Sequence, residues 1–185
     1  MKNIEQRSQY DKETGEIYQA IGRFTVKFEH VVQAMKQGIV FILELQGLRN
    51  QQLSTILLSD HTAEPIRSIY NAIVSEVRVF TKDERLILNS ILEEIKVLTV
   101  ERNDIIHGTW FVGRSNADSN SNFSDLPAHN YKKQNSKIKQ FRNQSCDFDH
   151  LSIRCDDVVT LVNRFTGCIM DNLSIVNNFD AINKK

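Results

Sequence analysis

Apolar residues recur every three or four positions over most of this chain, and few residues interrupt the pattern. The 185 residues include 7 Gly and 2 Pro, which is too few for the frequent turns of an all-β sandwich. The spacing is instead typical of α-helices with one apolar face. The first predicted helix runs from about Lys12 to Gly47, and its apolar positions are Ile17, Ile21, Phe24, Phe28, Val31, Met35, Ile39 and Ile42.

Local signals predict where the next helices begin. A short apolar piece from Leu53 to Leu58 is followed by Thr62, which we expect to be an N-cap with Pro65 in the first turn. Thr81 and Glu84 fit a capping box that opens the fourth helix. The apolar positions of that helix are Leu88, Ile91, Leu92, Ile95 and Leu98.

The end of the fourth helix and the start of the last one are also predicted. Gly108 is expected to end the fourth helix in the left-handed conformation that favours glycine. Helical spacing returns from about Ser152. The apolar face of this last helix consists of Val158, Val162, Phe165, Ile169 and Leu173.

Residues 108–150 break the helical pattern. Gly108 to Gly113 contains β-prone residues, and Ser115 to Asp125 is rich in Ser, Asn and Asp. We predict an irregular or β-hairpin insertion with a mobile tip. The chain is therefore expected to be a single all-α domain over residues 1–185, an antiparallel bundle of four to five helices with this insertion before the last helix.

Charge and cysteine content exclude several classes of protein. Basic and acidic residues balance at 23 each, so any contact with nucleic acid has to come from a local patch. Cys146, Cys155 and Cys168 form no Cys-x-x-Cys pair, which argues against a disulfide framework or a zinc site. No apolar run resembles a signal peptide or a membrane span. We expect a cytoplasmic protein that binds no metal or other cofactor.

Arg102 interrupts the apolar face of the fourth helix. It follows Ile95 by seven positions and therefore lies within about 20° of it around the helix axis. Ile106, four residues later, is expected to continue the same line. Burying an unpaired guanidinium costs several kcal/mol, so we expect Arg102 to have a carboxylate partner or to face a polar cavity or an interface.

His107 lies beside Arg102 in the sequence, at the predicted carboxyl end of the helix. The carbonyl groups at that end favour a protonated imidazole. Asn103 precedes His107 by four residues, so both share one face of the helix, where Asn103 is able to hold the ring or a phosphate oxygen. A permanent cation and a group that moves protons suit phosphodiester chemistry. A structural ion pair and a capping histidine would leave the same pattern, and that interpretation stays open.

The arrangement Arg102-Asn103-x-x-x-His107 at the end of a bundle helix resembles the signature of HEPN domains (higher eukaryotes and prokaryotes nucleotide-binding). That motif is Arg, four to six residues, then His, often with a polar residue directly after the Arg. Many members of the family are dimeric, metal-independent ribonucleases of toxin–antitoxin and phage-defence systems, in which the motifs of two subunits form one cleft. The resemblance implies catalytic roles for Arg102, Asn103 and His107.

The resemblance also implies partners: an RNA substrate, a second copy of the chain, and an antitoxin or regulatory protein. One feature departs from the family. Members regulated by a nucleotidyltransferase have Tyr two positions after the His, where this chain has Thr109. Arg23 and His30 match the bare pattern a second time, but Phe24 follows this arginine in the middle of a helix.

A run of basic residues in the insertion is the candidate RNA-binding segment. Between Tyr131 and Arg142 there is no acidic residue, so the segment could follow an RNA backbone. A solvated hairpin face is the simpler explanation of the same residues. The preferred function is metal-independent RNA cleavage by 2′-OH attack. The alternatives are a non-catalytic dimerisation or adaptor module and a nucleotide sensor. The basic residues are Lys132, Lys133, Lys137, Lys139 and Arg142.

Overall fold

The computed structural model describes residues 2–111, 128–134, 137–143 and 145–180. Within these ranges the fold is an all-α helical bundle with one small sheet, which confirms the predicted fold class. The six helices are α1 (Lys2–Leu45), α2 (Gln51–Ser59), α3 (Ala63–Val77), α4 (Lys82–Ile106), α5 (Ser145–Met170) and α6 (Ile175–Asp180). The three strands are β1 (Thr109–Phe111), β2 (Ala128–Gln134) and β3 (Lys137–Asn143). No helix of the described chain is long and apolar enough to cross a membrane.

The chain divides into two compact units, each built from separate stretches of sequence. Unit 1 consists of residues 1–27 and 100–153, and unit 2 consists of residues 28–99 and 154–185. Unit 1 therefore holds the sheet, the last turns of α4 and the first turns of α5. Unit 2 holds α2, α3 and α6 together with the remaining parts of α1, α4 and α5.

The predicted apolar faces form the cores of these units. Seven of the eight apolar positions named on α1 are buried, as are all five named on α4. Helix α1 begins at Lys2, ten residues before the predicted start, because its polar first turns carry no apolar signal. The sequence also gave no indication of α6, whose six residues are too few to show a period.

Two of the predicted helix starts are confirmed in detail at α3 and α4. Thr62 is the N-cap residue of α3, although its side chain makes no capping hydrogen bond. At α4 the Glu84 amide donates to Thr81 Oγ1 at 3.2 Å, and the Thr81 amide donates to Glu84 Oε2 at 3.0 Å. These reciprocal bonds are the capping box expected from the sequence.

The predicted left-handed conformation at Gly108 is wrong. Among the described residues Gly47 is the one glycine with positive φ, at 98°. The Leu48 amide donates to the Leu43 carbonyl at 3.0 Å and the Gly47 amide donates to the Glu44 carbonyl at 2.8 Å, which is a Schellman motif that ends α1. After α4 the chain instead passes through Gly108 directly into β1, so no reversal is required there.

Helix α5 differs from its prediction at both ends. It begins at Ser145 rather than near Ser152, because its first turn is polar. It ends at a second Schellman motif in which Asn172 has a φ of 51° and the Leu173 amide donates to the Cys168 carbonyl at 2.9 Å. Leu173 therefore lies beyond the helix and is exposed, not on the apolar face as predicted.

The insertion contains the predicted β-hairpin and one additional strand. Strands β2 and β3 pair antiparallel, and β1 pairs antiparallel with β2, giving the order β1-β2-β3. The predicted mobile tip, Ser115 to Asp125, lies outside the described residues. Since α5 begins at Ser145, the insertion is shorter at its carboxyl end than the predicted boundary near His150.

Within unit 2, a close approach between helices requires glycine at position 38. A Cβ atom at Gly38 would lie 2.8 Å from Thr166 Oγ1 and 3.0 Å from Tyr70 Cε2. These two side chains hydrogen-bond to each other at 2.9 Å in the buried core. Burial raises the pKa of Tyr70 to about 12, against the smaller effect of the Thr166 hydrogen bond. Tyr70 therefore stays a neutral phenol at any pH where the protein is handled.

A buried ion pair joins three segments of unit 2. Arg78 Nη2 lies 2.6 Å from Glu84 Oε1, and Glu84 is buried. The same guanidinium donates through Nη1 to the carbonyl groups of Leu173 at 2.8 Å and Cys168 at 3.3 Å. Burial by itself raises the pKa of Glu84, but the Thr81 amide, the Arg78 charge and the Ile175 amide outweigh it, so the pKa is lowered.

Replacing Gly38 by alanine is expected to destabilise the protein by about 1 kcal/mol. Overpacking costs about 1–3 kcal/mol, and the better helix propensity of alanine returns about 1 kcal/mol. The matched control is Gly167→Ala in α5, where a Cβ atom meets nothing within 4 Å. This control should leave stability unchanged or raise it. Urea denaturation measures both, and equal effects of the two substitutions would contradict the close approach at Gly38.

Glu84→Gln is expected to lower the free energy of unfolding by about 2 kcal/mol at neutral pH, because a charged hydrogen-bond acceptor is lost. A carboxyl group with a lowered folded pKa stabilises the protein above its unfolded pKa of about 4.3 and loses that effect as pH falls. The difference between wild type and variant should therefore shrink below about pH 4. Urea titrations at several pH values measure it. Glu93→Gln, which removes an exposed pair with Lys96, should cost less than about 0.5 kcal/mol.

Candidate functional site

Arg102 lies in the last part of α4 that belongs to unit 1, and its side chain is half-buried. Its Nη1 atom donates to Asn103 Oδ1 at 3.3 Å, which is one of its interactions. The predicted polar environment is therefore provided in part by the neighbouring residue. The Nε atom of the same guanidinium is buried, so the group lies only partly at the surface.

Asn103 and His107 are joined through the backbone. The His107 amide donates to the Asn103 carbonyl at 3.1 Å, which completes the final turn of α4. The imidazole of His107 is exposed and forms no hydrogen bond with any described residue. The Asn103 side chain contacts Arg102 and not the imidazole of His107. In the single chain Asn103 therefore does not have the predicted role of holding the ring.

The apolar line on α4 changes direction in its last turn. Ile105 is buried, whereas Ile106 is 40% exposed. The prediction that Ile106 continues the apolar face is therefore wrong. Because Ile105 follows Arg102 by three positions, the buried face passes from Arg102 to Ile105, and His107 is left on the exposed side.

Trp110 fixes the exit from α4 into the sheet. Its Nε1 atom donates to the Ile105 carbonyl at 2.6 Å, and its ring lies edge-on to Phe148 with the centroids 5.5 Å apart. Since Ile105 is in the last turn of α4 and Phe148 is in α5, this residue connects three elements of unit 1. Trp110 therefore anchors the start of the insertion to α4 and α5. In the sequence, the site residue His107 lies between Ile105 and Trp110, which this hydrogen bond joins.

The second Arg-His match has a structural explanation. Arg23 Nη1 pairs with Asp149 Oδ1 at 2.5 Å, and both side chains are about half exposed. Asp149 lies in the first turns of α5, which begins at Ser145. Arg23 is thus part of an ion pair between α1 and α5 in unit 1.

The basic residues of the insertion lie on the hairpin formed by β2 and β3. Lys132 is directly opposite Lys139, Gln134 is opposite Lys137, and His129 is opposite Arg142. Because successive strand positions alternate between faces, positions 132, 137 and 139 share one face of the sheet, and positions 133 and 142 share the other. The predicted RNA-binding segment is therefore divided between two faces.

Residue types that commonly bind metal ions do not cluster in the described part of the chain. No three His, Cys, Asp or Glu residues there form a group that could hold a metal ion. Cys155 and Cys168 are buried, Cys146 is exposed, and none of the three forms a disulfide bond. Burial raises the pKa of Cys168, which makes it less reactive as a nucleophile. The candidate site consequently rests on Arg102, Asn103 and His107.

The chain matches no known protein family, no curated protein and no solved structure. The resemblance to HEPN domains therefore depends on the motif and on the helical fold alone. Sequence reasoning missed the contact of Arg102 with Asn103, since adjacent residues do not normally face each other on a helix. It also missed the Arg23–Asp149 pair, which joins residues 126 positions apart.

Proposed function

We propose that this protein is a HEPN-like endoribonuclease that cleaves RNA without a metal ion. The observation that carries the proposal is the placement of a half-buried Arg102, hydrogen-bonded to Asn103, five residues before an exposed His107. In this mechanism the ribose 2′-oxygen attacks the adjacent phosphorus, and the bond from that phosphorus to the 5′-oxygen of the next nucleotide breaks, which leaves a 2′,3′-cyclic phosphate. His107 acts as the general base that takes the 2′-OH proton or as the general acid that protonates the leaving 5′-oxygen, and Arg102 stabilises the negative charge that develops on the phosphate oxygens.

The exposed imidazole supports this role. A general acid or base has to reach the substrate, and His107 is accessible where a buried capping histidine would not be. Arginine suits the second role because it is always charged and presents two parallel donors to a phosphate. The basic positions of β2 and β3 would contact the RNA backbone. Positions 132, 137 and 139 share one face of the sheet, so they could bind the same stretch of RNA.

We further propose that the active form is a homodimer built around α4. Val100 is 54% exposed, and Asn103 and His107 follow it by three and seven positions, so the three lie in one line along the helix. Val97 is also 37% exposed. A two-fold partner on this face would cover the valines and bring two Arg-His motifs together.

One observation favours the second candidate, a non-catalytic adaptor or nucleotide-sensing module. No described residue forms a hydrogen bond with the His107 imidazole, whereas catalytic histidines are normally oriented by a second group. A partner subunit would supply that group in the catalytic dimer. In the adaptor, the exposed apolar residues would serve assembly alone.

The chemistry predicts cleavage that persists in EDTA, leaves 2′,3′-cyclic phosphate ends and spares DNA, which lacks the 2′-OH. His107→Ala should lower the rate by about 10²–10⁴, the usual effect of losing a general acid or base. Arg102→Lys should also lower the rate of RNA cleavage, because an ammonium group cannot make the planar contact of two parallel hydrogen bonds to a phosphate. End-labelled RNA incubated with each purified variant measures the rates.

The second Arg-His match supplies the controls for this experiment. Arg23→Ala and His30→Ala should keep full activity, with the Arg23 variant losing less than about 1 kcal/mol of stability from its exposed pair. Equal cleavage by wild type and His107→Ala would show that the activity is a contaminant. A folded dimer that cleaves no RNA would favour the adaptor.

The dimer predicts a specific pair of outcomes for valine substitutions. Val100→Lys should convert the dimer to a monomer, because the interface would bury an unpaired charge. Val79→Lys is the matched control, since Val79 is 97% exposed and lies outside α4; it should remain dimeric. Light scattering at tens of micromolar distinguishes the two states. A wild-type monomer under those conditions would overturn the composite site.

A further inference from the structure

A groove in unit 2 has the size and lining of a small-molecule site, and it shares no residue with the Arg-His motif. It lies between α1 and α2 and has a volume of about 530 Å³. Ligand sites of proteins generally measure about 300–1,000 Å³. Val40 and Leu58 are buried at its base, while the ring of Phe41 is 42% exposed along it. The groove thus offers an apolar floor and an accessible aromatic surface.

Lys36 is the one charged residue that lines this groove. Its Nζ atom donates to the carbonyl of Ser59, the last residue of α2, at 2.9 Å. That carbonyl lies at the carboxyl end of α2, whose partial negative charge positions the ammonium group and offsets part of its charge. No carboxylate of the described chain pairs with Lys36. An ammonium group has three donors, so an anion in the groove would find a positioned cation whose charge is only partly offset.

The remaining polar lining is neutral. Gln33, Gln37 and Gln51 contribute three carboxamides, and Thr55 adds a hydroxyl group. Charged residues make up 25% of the chain, so an exposed groove with a single charge differs from the rest of the surface. Carboxamides both donate and accept hydrogen bonds, which suits polar atoms at the edge of a planar ring.

We propose that this groove binds a small aromatic or heteroaromatic acid. The acid group would pair with Lys36, the ring would lie against Phe41 above Val40 and Leu58, and ring heteroatoms would bond to the glutamine side chains. The amphiphilic character follows from the lining, because a purely polar anion leaves the apolar floor uncovered and a purely apolar ligand leaves Lys36 without a counter-charge. This inference is independent of the proposed ribonuclease activity.

Three small probes separate the contributions of ring and charge. Indole-3-acetate has both, indole-3-acetamide is its uncharged counterpart, and acetate lacks the ring. Ligand-observed NMR titration of the full chain should show binding of indole-3-acetate at millimolar concentration and about tenfold weaker binding of the other two. Binding of the amide as tight as that of the acid would overturn the role of Lys36, and binding of none of the probes would overturn the site.

Substitutions of groove residues test the same contacts in the protein. Gln37→Glu adds a negative charge to the groove, and it should weaken binding of the acid about tenfold more than binding of the amide. Lys36→Met should remove the preference for the acid, and Lys36→Arg should restore it. Lys82→Met, a change at an exposed lysine outside the groove, should leave all three affinities unchanged. Unaltered acid binding in Lys36→Met and Gln37→Glu would contradict the proposal.

Discussion

The buried carboxylate of Glu84 is the point on which unit 2 depends. It accepts a hydrogen bond from the Thr81 amide in the capping box of α4 and forms the ion pair with Arg78. The other terminal nitrogen of Arg78 donates to the carbonyl group of Cys168 in the last turn of α5 and to that of Leu173 just after the helix. A buried charge is costly to leave without a partner, so each segment keeps the others in place. The loop between α3 and α4, the start of α4 and the chain after α5 therefore form one cooperative element.

Local signals in the sequence predicted the local parts of this structure. The capping box at Thr81, the N-cap at Thr62 and the apolar face of α1 each depend on residues a few positions apart, and each was predicted correctly. The Arg78 contacts with Cys168 and Leu173 join residues 90 and 95 positions apart, and no periodicity reveals them. Gly108 was predicted wrongly because a glycine after a helix signals either a left-handed cap or a direct passage into a strand, and the sequence does not distinguish the two.

The candidate site shows the same limit. Spacing alone placed Arg102, Asn103 and His107 at the end of a helix, and α4 does end at Ile106. It could not show that Arg102 contacts Asn103 or that the imidazole is exposed, because both depend on how the last turn meets β1 and Trp110. The two units also differ in the chemistry they present. Unit 1 carries the Arg-His motif, while unit 2 carries a groove whose glutamines gave no recognisable motif.

The partners of Arg78 in the last turn of α5 and just after it are main-chain oxygens, and this determines which positions are free to vary. A carbonyl group is present whatever the side chain, so Cys168 and Leu173 bind Arg78 through atoms that every residue possesses. Leu173 is also 46% exposed. Substitutions at position 173 therefore leave the hydrogen bonds of Arg78 intact, whereas Arg78 and Glu84 can change only together. In any set of related sequences, this pair should vary jointly while its backbone partners diverge in side-chain type.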